Sequence, residues 1–214
     1  MRPVIRSAWP INSKGERLVY KDYGSFFSHL IDAFGNYCSY CEQMTKLDVE
    51  HVVPKSRDEG LKLEWTNFLL GCSSCNRDFK KNKNLDRNGY LWPDEVDTFK
   101  AFDYLSNGDV KVKTGFADAN KAQAILDLCN LAPPPKDKIK TPNDYLWFQR
   151  AATWVIAERE RDLYQNKIRS EADIAYLAAL VGYWSVWVSV FNGYPDVIKA
   201  ISALYTGTHN DYLL

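Results

Sequence analysis

Cys38-Ser39-Tyr40-Cys41, then Asp48-Val49-Glu50-His51-Val52-Val53-Pro54, then Cys72-Ser73-Ser74-Cys75-Asn76: the fold turns on this nested stretch. Each C-x-x-C pair has the spacing that lets two thiolates reach one tetrahedral ion. Two such pairs supply the closed four-sulfur shell of a structural zinc site. One pair alone carries little weight, whereas two pairs flanking a histidine segment make disulfides or chance core thiols poor alternatives. The interval between the pairs is longer than in an ordinary zinc ribbon, so the metal closes the base of a loop that has its own task. Of the three histidines, His29 falls in an expected helix and His209 near the C-terminal end. That leaves His51, beside Glu50 and with Asn67 and Asn76 downstream, at the centre of the loop's chemistry.

These residues resemble the HNH endonucleases. The family pattern is an acid or His followed by His, a Pro three residues later, a central Asn in an Asn-Leu-like setting, and C-x-x-C with His or Asn next. Here it reads Glu50-His51, Pro54, Trp65-Thr66-Asn67-Phe68-Leu69-Leu70, Cys72 to Cys75 and Asn76, followed by Lys80 and Lys81, within residues 36–83. The acid is Glu where Asp or His is more frequent, and the third position is Asn in place of His. The resemblance implies a zinc-stapled ββα-metal core, a β-hairpin and a helix gripping a catalytic metal between them. It also implies a structural role for Asn67, hydrogen-bonding across the loop so that His51 stays oriented. Beyond the motif, the order of segments is similar to the HNH effectors of Septu-type and retron-associated antiphage systems, which implies a role in defence beside an ATPase partner.

Elementary chemistry agrees. Hydrolysing a phosphodiester needs a base for water, a cation at the leaving oxygen and a scaffold holding both. His51 can be the base, because a neutral imidazole titrates near physiological pH. Glu50 and Asn76 offer oxygen ligands, which suit Mg2+ or Mn2+, and such an ion stabilises charge building on the scissile phosphate. Each residue also has a plainer reading: His51 as a satisfied core histidine, Glu50 as a surface acid with Asp48 contributing instead, Asn76 as a helix cap. Cys129 continues the apolar stripe Ala122, Ile125, Leu126 and reads as a buried structural thiol.

The 214-residue chain, 46% hydrophobic, is long enough to bury a core in one or two domains. With 27 basic and 27 acidic residues the formal net charge is zero, so no global basic field advertises nucleic acid. Locally, Arg77, Lys80, Lys81, Lys83 and Arg87 against Asp78 and Asp86 form the expected phosphate-contacting surface; the plainer reading is a solvated helix face. The opening Met1-Arg2-Pro3-Val4-Ile5-Arg6 lacks the apolar core of a signal peptide, and metal-spaced thiols suit the cytoplasm. Ile174 to Phe191 is free of charge and borderline in length for a membrane span. A capping box at Ser170 and Asp173 and a stop at Asn192-Gly193 make it a buried helix, so no membrane association is expected.

A helix is expected over Ser25 to Phe34, ended by Gly35. A hairpin follows the motif, Phe102 to Leu105 and Val110 to Val112 around Asn107-Gly108, and then a helix from Ala119 to Leu131. Residues 1–131 thus form the nuclease part, 132–142 a Pro/Lys-rich connector, and 143–214 a helical region. That region has one helix beginning at Thr141-Pro142, the apolar helix second and Pro195 to Leu204 third. The fold class is α+β, mostly helical, with a small zinc-stapled ββα nuclease core. The expected function is a metal-dependent endonuclease acting on DNA by family default, or on RNA, including tRNA. Its rival is an inactive zinc-stabilised module that binds nucleic acid or protein. Trp147, Trp154, Trp184 and Trp187 either fill the helical core or form a face that docks onto the ATPase.

Overall fold

Asp22 opens the first ordered element: its carboxylate accepts from the Gly24 N–H at 2.7 Å and caps a 3-10 turn, Tyr23–Phe26, that runs into α1 (Phe27–Phe34). Gly35, at φ +73, stops α1 and delivers the chain to the first cysteine pair. The computed structural model describes residues 1–132 and 146–214. The connector expected at 132–142, beyond Ala132, and the helix start at Thr141-Pro142 lie outside the described residues.

β1 (Leu47–His51) and β2 (Phe68–Cys72) pair antiparallel in a register that sets Asp48 against Gly71, Glu50 against Leu69 and His51 against Phe68. Every residue of β2 is buried, because α1 covers one face and the following helix the other. That helix, Ser74–Lys80, is a wide π-type turn closed by the Lys81 N–H donating to the Asn76 carbonyl at 2.8 Å. Hairpin and helix make up the expected ββα unit. Val52 and Val53, β-prone in the sequence, leave the ladder because Asn67 takes their N–H groups, through its main-chain carbonyl for Val52 and its side chain for Val53.

β3 (Phe102–Tyr104) and β4 (Val110–Val112) pair around the Asn107-Gly108 turn, and α2 (Ala119–Leu128) follows with Ala122, Ile125 and Leu126 inward. Cys129 is fully buried beside them. Gly108 is needed twice over: its φ is +84, and a Cβ there would stand 2.0 Å from the Trp147 carbonyl. That contact brings the hairpin tip onto α3 (Leu146–Gln165), where the buried Arg150 guanidinium donates to the Gly108 and Leu131 carbonyls at 2.9 and 2.5 Å.

The apolar run Ile174 to Phe191 is not one helix. It breaks into α4 (Glu171–Val181), opened by the expected Ser170–Asp173 capping box, and α5 (Trp184–Val190). The break sits at Gly182, φ +83, and Tyr183, φ +60. Its cause lies elsewhere in the chain: the Tyr183 N–H donates to the Glu42 carbonyl at 3.0 Å, and Ser185 donates its N–H and hydroxyl to the buried Glu42 carboxylate at 2.8 and 2.5 Å. A helix that ran straight on would take both Ser185 donors from that buried carboxylate and leave it only the Met1 ammonium at 3.3 Å. Gly182 approaches the same segment so closely that a Cβ would lie 2.9 Å from the Glu42 carbonyl. Gly182→Ala is therefore expected to lower stability by roughly 1–3 kcal/mol, read as a lower urea midpoint at unchanged slope.

α6 (Pro195–Leu204) begins with its proline in the first turn and packs on α4. Two apolar clusters result: one around Phe26, Phe34, Trp65, Phe68 and Trp92, the other around Trp184, Trp187, Phe191 and Tyr205. Trp184 and Trp187 are core residues, whereas Trp147 and Trp154 are only partly buried, and Phe148 and Val155 on α3 are 61% and 65% exposed. No helix among the described residues is long and apolar enough to cross a membrane.

Candidate active site and metal centre

Cys38 and Cys41 sit on the turn before β1, Cys72 ends β2, and Cys75 lies in the first turn of the π-helix. Their four Sγ atoms lie within 4.8 Å of one another, all buried, and no disulfide joins them. The Cys41–Cys72 Sγ separation is 3.7 Å, close to the roughly 3.8 Å edge of a tetrahedron with Zn–S near 2.3 Å. The Cys72 N–H points at Cys38 Sγ at 3.4 Å and the Cys75 N–H at Cys72 Sγ at 3.5 Å, donors that favour thiolate. Hydrogen bonding within the cluster, from Cys38 first, drives Cys72 toward thiolate and pushes Cys41 and Cys75 well up. Four sulfurs this close can all be thiolates only around a cation, and the sulfur donor set fits zinc.

His51 closes β1, half-buried, with its ring edge-on to Tyr23 at 4.7 Å and to Phe68 at 5.1 Å. Its Nε2 stands 3.0 Å from the Lys62 carbonyl. A carbonyl can only accept, which assigns the proton to Nε2 and leaves the lone pair on Nδ1. Burial holds the imidazole below its ordinary value, against the opposing pull of the Lys62 carbonyl. At neutral pH the ring is therefore an unprotonated acceptor.

Asn67 holds the loop that carries this histidine. Its Oδ1 accepts from the Val53 N–H at 2.8 Å, and its Nδ2 donates to the Val53 and Leu61 carbonyls at 2.9 and 3.2 Å. The side chain thus acts as one more rung of the hairpin, staples residues 53 and 61 across the loop, and is itself buried. Asn67→Ala should strip partners from buried backbone groups and cost roughly 1–3 kcal/mol, visible in chemical denaturation of the zinc-loaded protein.

Glu50 and Asn76 meet across Gly71. A Cβ on that glycine would lie 3.0 Å from Glu50 Cγ and 3.1 Å from Asn76 Cβ, so only glycine lets strand and helix bring the two together. Glu50 is fully buried; Tyr40 donates its hydroxyl to Oε2 at 2.6 Å, and the Lys80 ammonium lies 2.6 Å from Oε1. Each oxygen retains capacity for a second partner. Asp48, two residues earlier on the same strand face, is paired with Arg77 at 2.8 Å and lines an open cavity of about 300 Å³ with Asn76 and Tyr23.

The expected nucleic-acid surface needs two corrections. Lys80 is fully buried, its Nζ on Glu50 and on the His51 carbonyl at 2.8 Å, so no phosphate reaches it. Arg87, too, is committed, to Asp94 and Glu95. Arg77, Lys81 and Lys83 are exposed, and Lys55, whose ammonium sits over the Tyr23 ring at 4.5 Å, joins them from the loop after His51. Sequence reasoning passed over Tyr40, Lys62 and Lys55. It also passed over Asn84, which is buried and donates to the Val52 carbonyl at 2.7 Å. Tyr40 had a usable signal, an aromatic inside a C-x-x-C turn; Asn84 lies in the polar run Lys-Asn-Lys-Asn and offers none.

Residues 38–82, which hold the cysteine pairs, the hairpin and the π-helix, match the family model described as HNH endonuclease. The chain is also similar to "Septu protein PtuB" of Bacillus thuringiensis, 33% identical over 95 residues. That match covers 40% of this chain and 36% of the relative, little more than a third of its length.

Proposed function

We propose that this protein is a divalent-metal-dependent endonuclease that hydrolyses phosphodiester bonds of nucleic acid. The observation that carries the reading is His51, with Nε2 fixed on the Lys62 carbonyl and Nδ1 free to accept, one residue from the Glu50–Asn76 pair. His51 takes the proton from an attacking water. Asn67 keeps the loop, and with it the ring, in place. Arg77, Lys81 and Lys83, with Lys55, hold the phosphate backbone. Glu50 and Asn76 are oxygen donors flanking Gly71, with Asp48 paired to the same glycine in the strand register, and this donor set fits Mg2+ or Mn2+. When bound, such an ion stabilises charge on the scissile phosphate and its leaving oxygen.

The similarity to a Septu protein supports a role as the nuclease effector of an antiphage system, and free thiols in a metal-spaced cluster support the cytoplasm as its place of work. An ATPase partner is consistent with the zero net charge, since a chain with no basic field of its own gains from a partner that presents the substrate. The exposed Phe148 and Val155 on α3 are where such a partner would dock.

One observation favours a second reading. Both Glu50 oxygens are already engaged, by Tyr40 and Lys80, as they would be in a zinc-stabilised binding module without catalysis. The two readings separate on incubation of the zinc-loaded protein, alone and with a candidate ATPase partner, with labelled duplex DNA and with total RNA in Mg2+ or Mn2+. Cleavage of either polymer is expected; binding without cleavage in every combination would favour the module.

A further inference from the structure

Lys80 carries a cation into a place where none would go by default. The whole residue is inaccessible, and an ammonium is rarely buried unless its partners hold it there. Its two acceptors are the Glu50 carboxylate at 2.6 Å and the main-chain carbonyl of His51 at 2.8 Å. The other Glu50 oxygen takes the Tyr40 hydroxyl at 2.6 Å, and Tyr40 stands between Cys38 and Cys41. Hydrogen bonds therefore run without interruption from the cysteine turn to the main chain of His51, through Tyr40, Glu50 and Lys80. Each is short and charge-assisted or shielded from water, the conditions under which such bonds fix geometry most firmly.

We propose that Lys80 is a positioning residue, the last link of a buried Tyr40–Glu50–Lys80 relay that fixes His51 relative to the cysteine-bound metal. The proposal rests on the reading of His51 as the base and names what orients it from beneath. His51 is then held at two points, its ring by the Lys62 carbonyl and its main chain by Lys80. The relay makes the cysteine site more than a distant staple: a disturbance at the Cys38–Cys41 turn reaches His51 through three side chains. It also accounts for a lysine that the basic run around it would otherwise assign to phosphate.

The test uses the full chain with its zinc and compares wild type with Lys80→Met and Tyr40→Phe. Tyr40→Phe removes one bond of the relay and leaves the buried Glu50 still paired with Lys80, so it remains informative should Lys80→Met fold poorly. Three quantities are measured: zinc content, the KM and kcat for a labelled nucleic acid, and the 15N signals of the His51 ring. Lys80→Met is expected to retain zinc and lower kcat roughly 10- to 100-fold at unchanged KM, the size of effect that misplacing a catalytic group produces. Tyr40→Phe should lower kcat several-fold. Both should replace the single Nε2-protonated tautomer of wild type by an averaged signal, a readout that does not depend on turnover and so separates failure of the relay from failure of the nuclease reading. A wild-type tautomer in both variants would overturn the proposal. So would a rise in KM at constant kcat in Lys80→Met, which would make Lys80 a phosphate contact.

Discussion

Cys72→Ser is expected to abolish cooperative folding. Cys72 ends β2, and its sulfur lies 3.7 Å from that of Cys41 and accepts from the Cys75 N–H, so one atom ties the first cysteine turn, the hairpin and the π-helix together. Zinc bound by a complete four-sulfur shell contributes roughly 10–16 kcal/mol. That equals or exceeds the whole net stability of a domain, about 5–15 kcal/mol. Serine offers no thiolate, and the three remaining sulfurs would face one another in a buried cluster without the charge that reconciles them. Wild-type protein purified without added metal should contain about one zinc per chain and melt in one transition; the variant should contain little and show none. A wild-type protein that is stable and free of metal would remove the basis of this account.

His51→Ala should fold, keep its zinc and bind nucleic acid as before, yet cleave about 100- to 10,000-fold more slowly, the usual contribution of a general base. The ring is half-buried, and its truncation removes edge contacts with Tyr23 and Phe68, so stability should fall only within the ordinary range of about 0.5–3 kcal/mol. Because burial depresses the imidazole's affinity for protons, the wild-type rate should be level at neutral pH and fall as pH drops through that depressed value. The variant should lack that limb.

The four-cysteine cluster and the hairpin that carries His51 were legible because each is written in local spacing. Two C-x-x-C pairs define a tetrahedron, and β-prone residues around His51 define a strand. Gly35, Asn107-Gly108 and the Ser170–Asp173 box announced their turns and cap for the same reason: the chemistry that sets each lies within a few residues of it. What escaped was set by partners far along the chain. The break at Gly182 answers to Glu42, 140 positions earlier, and nothing in an apolar run reveals that a carboxylate will press against it. Lys80 read as surface because it sits in a basic run. The π-type turn directs it inward, away from Lys81 and Lys83, onto an acid that the strand had already buried. Glu50 was placed beside Asn76 by its position in the motif, but its capture by Tyr40 and Lys80 required the three-dimensional register of strand, turn and helix.

The most direct test of a zinc-stapled, metal-assisted nuclease is cleavage of end-labelled nucleic acid by the wild-type chain, with its candidate ATPase present, while the divalent ion is varied and zinc content and fold are followed in the same samples. Cleavage should require added Mg2+ or Mn2+ and cease under a chelator too weak to strip the four-cysteine site. It should return when the ion is restored, with zinc and the melting transition unchanged throughout. Cleavage that is indifferent to the added ion, or its absence on DNA and RNA alike at full zinc occupancy, would contradict the account.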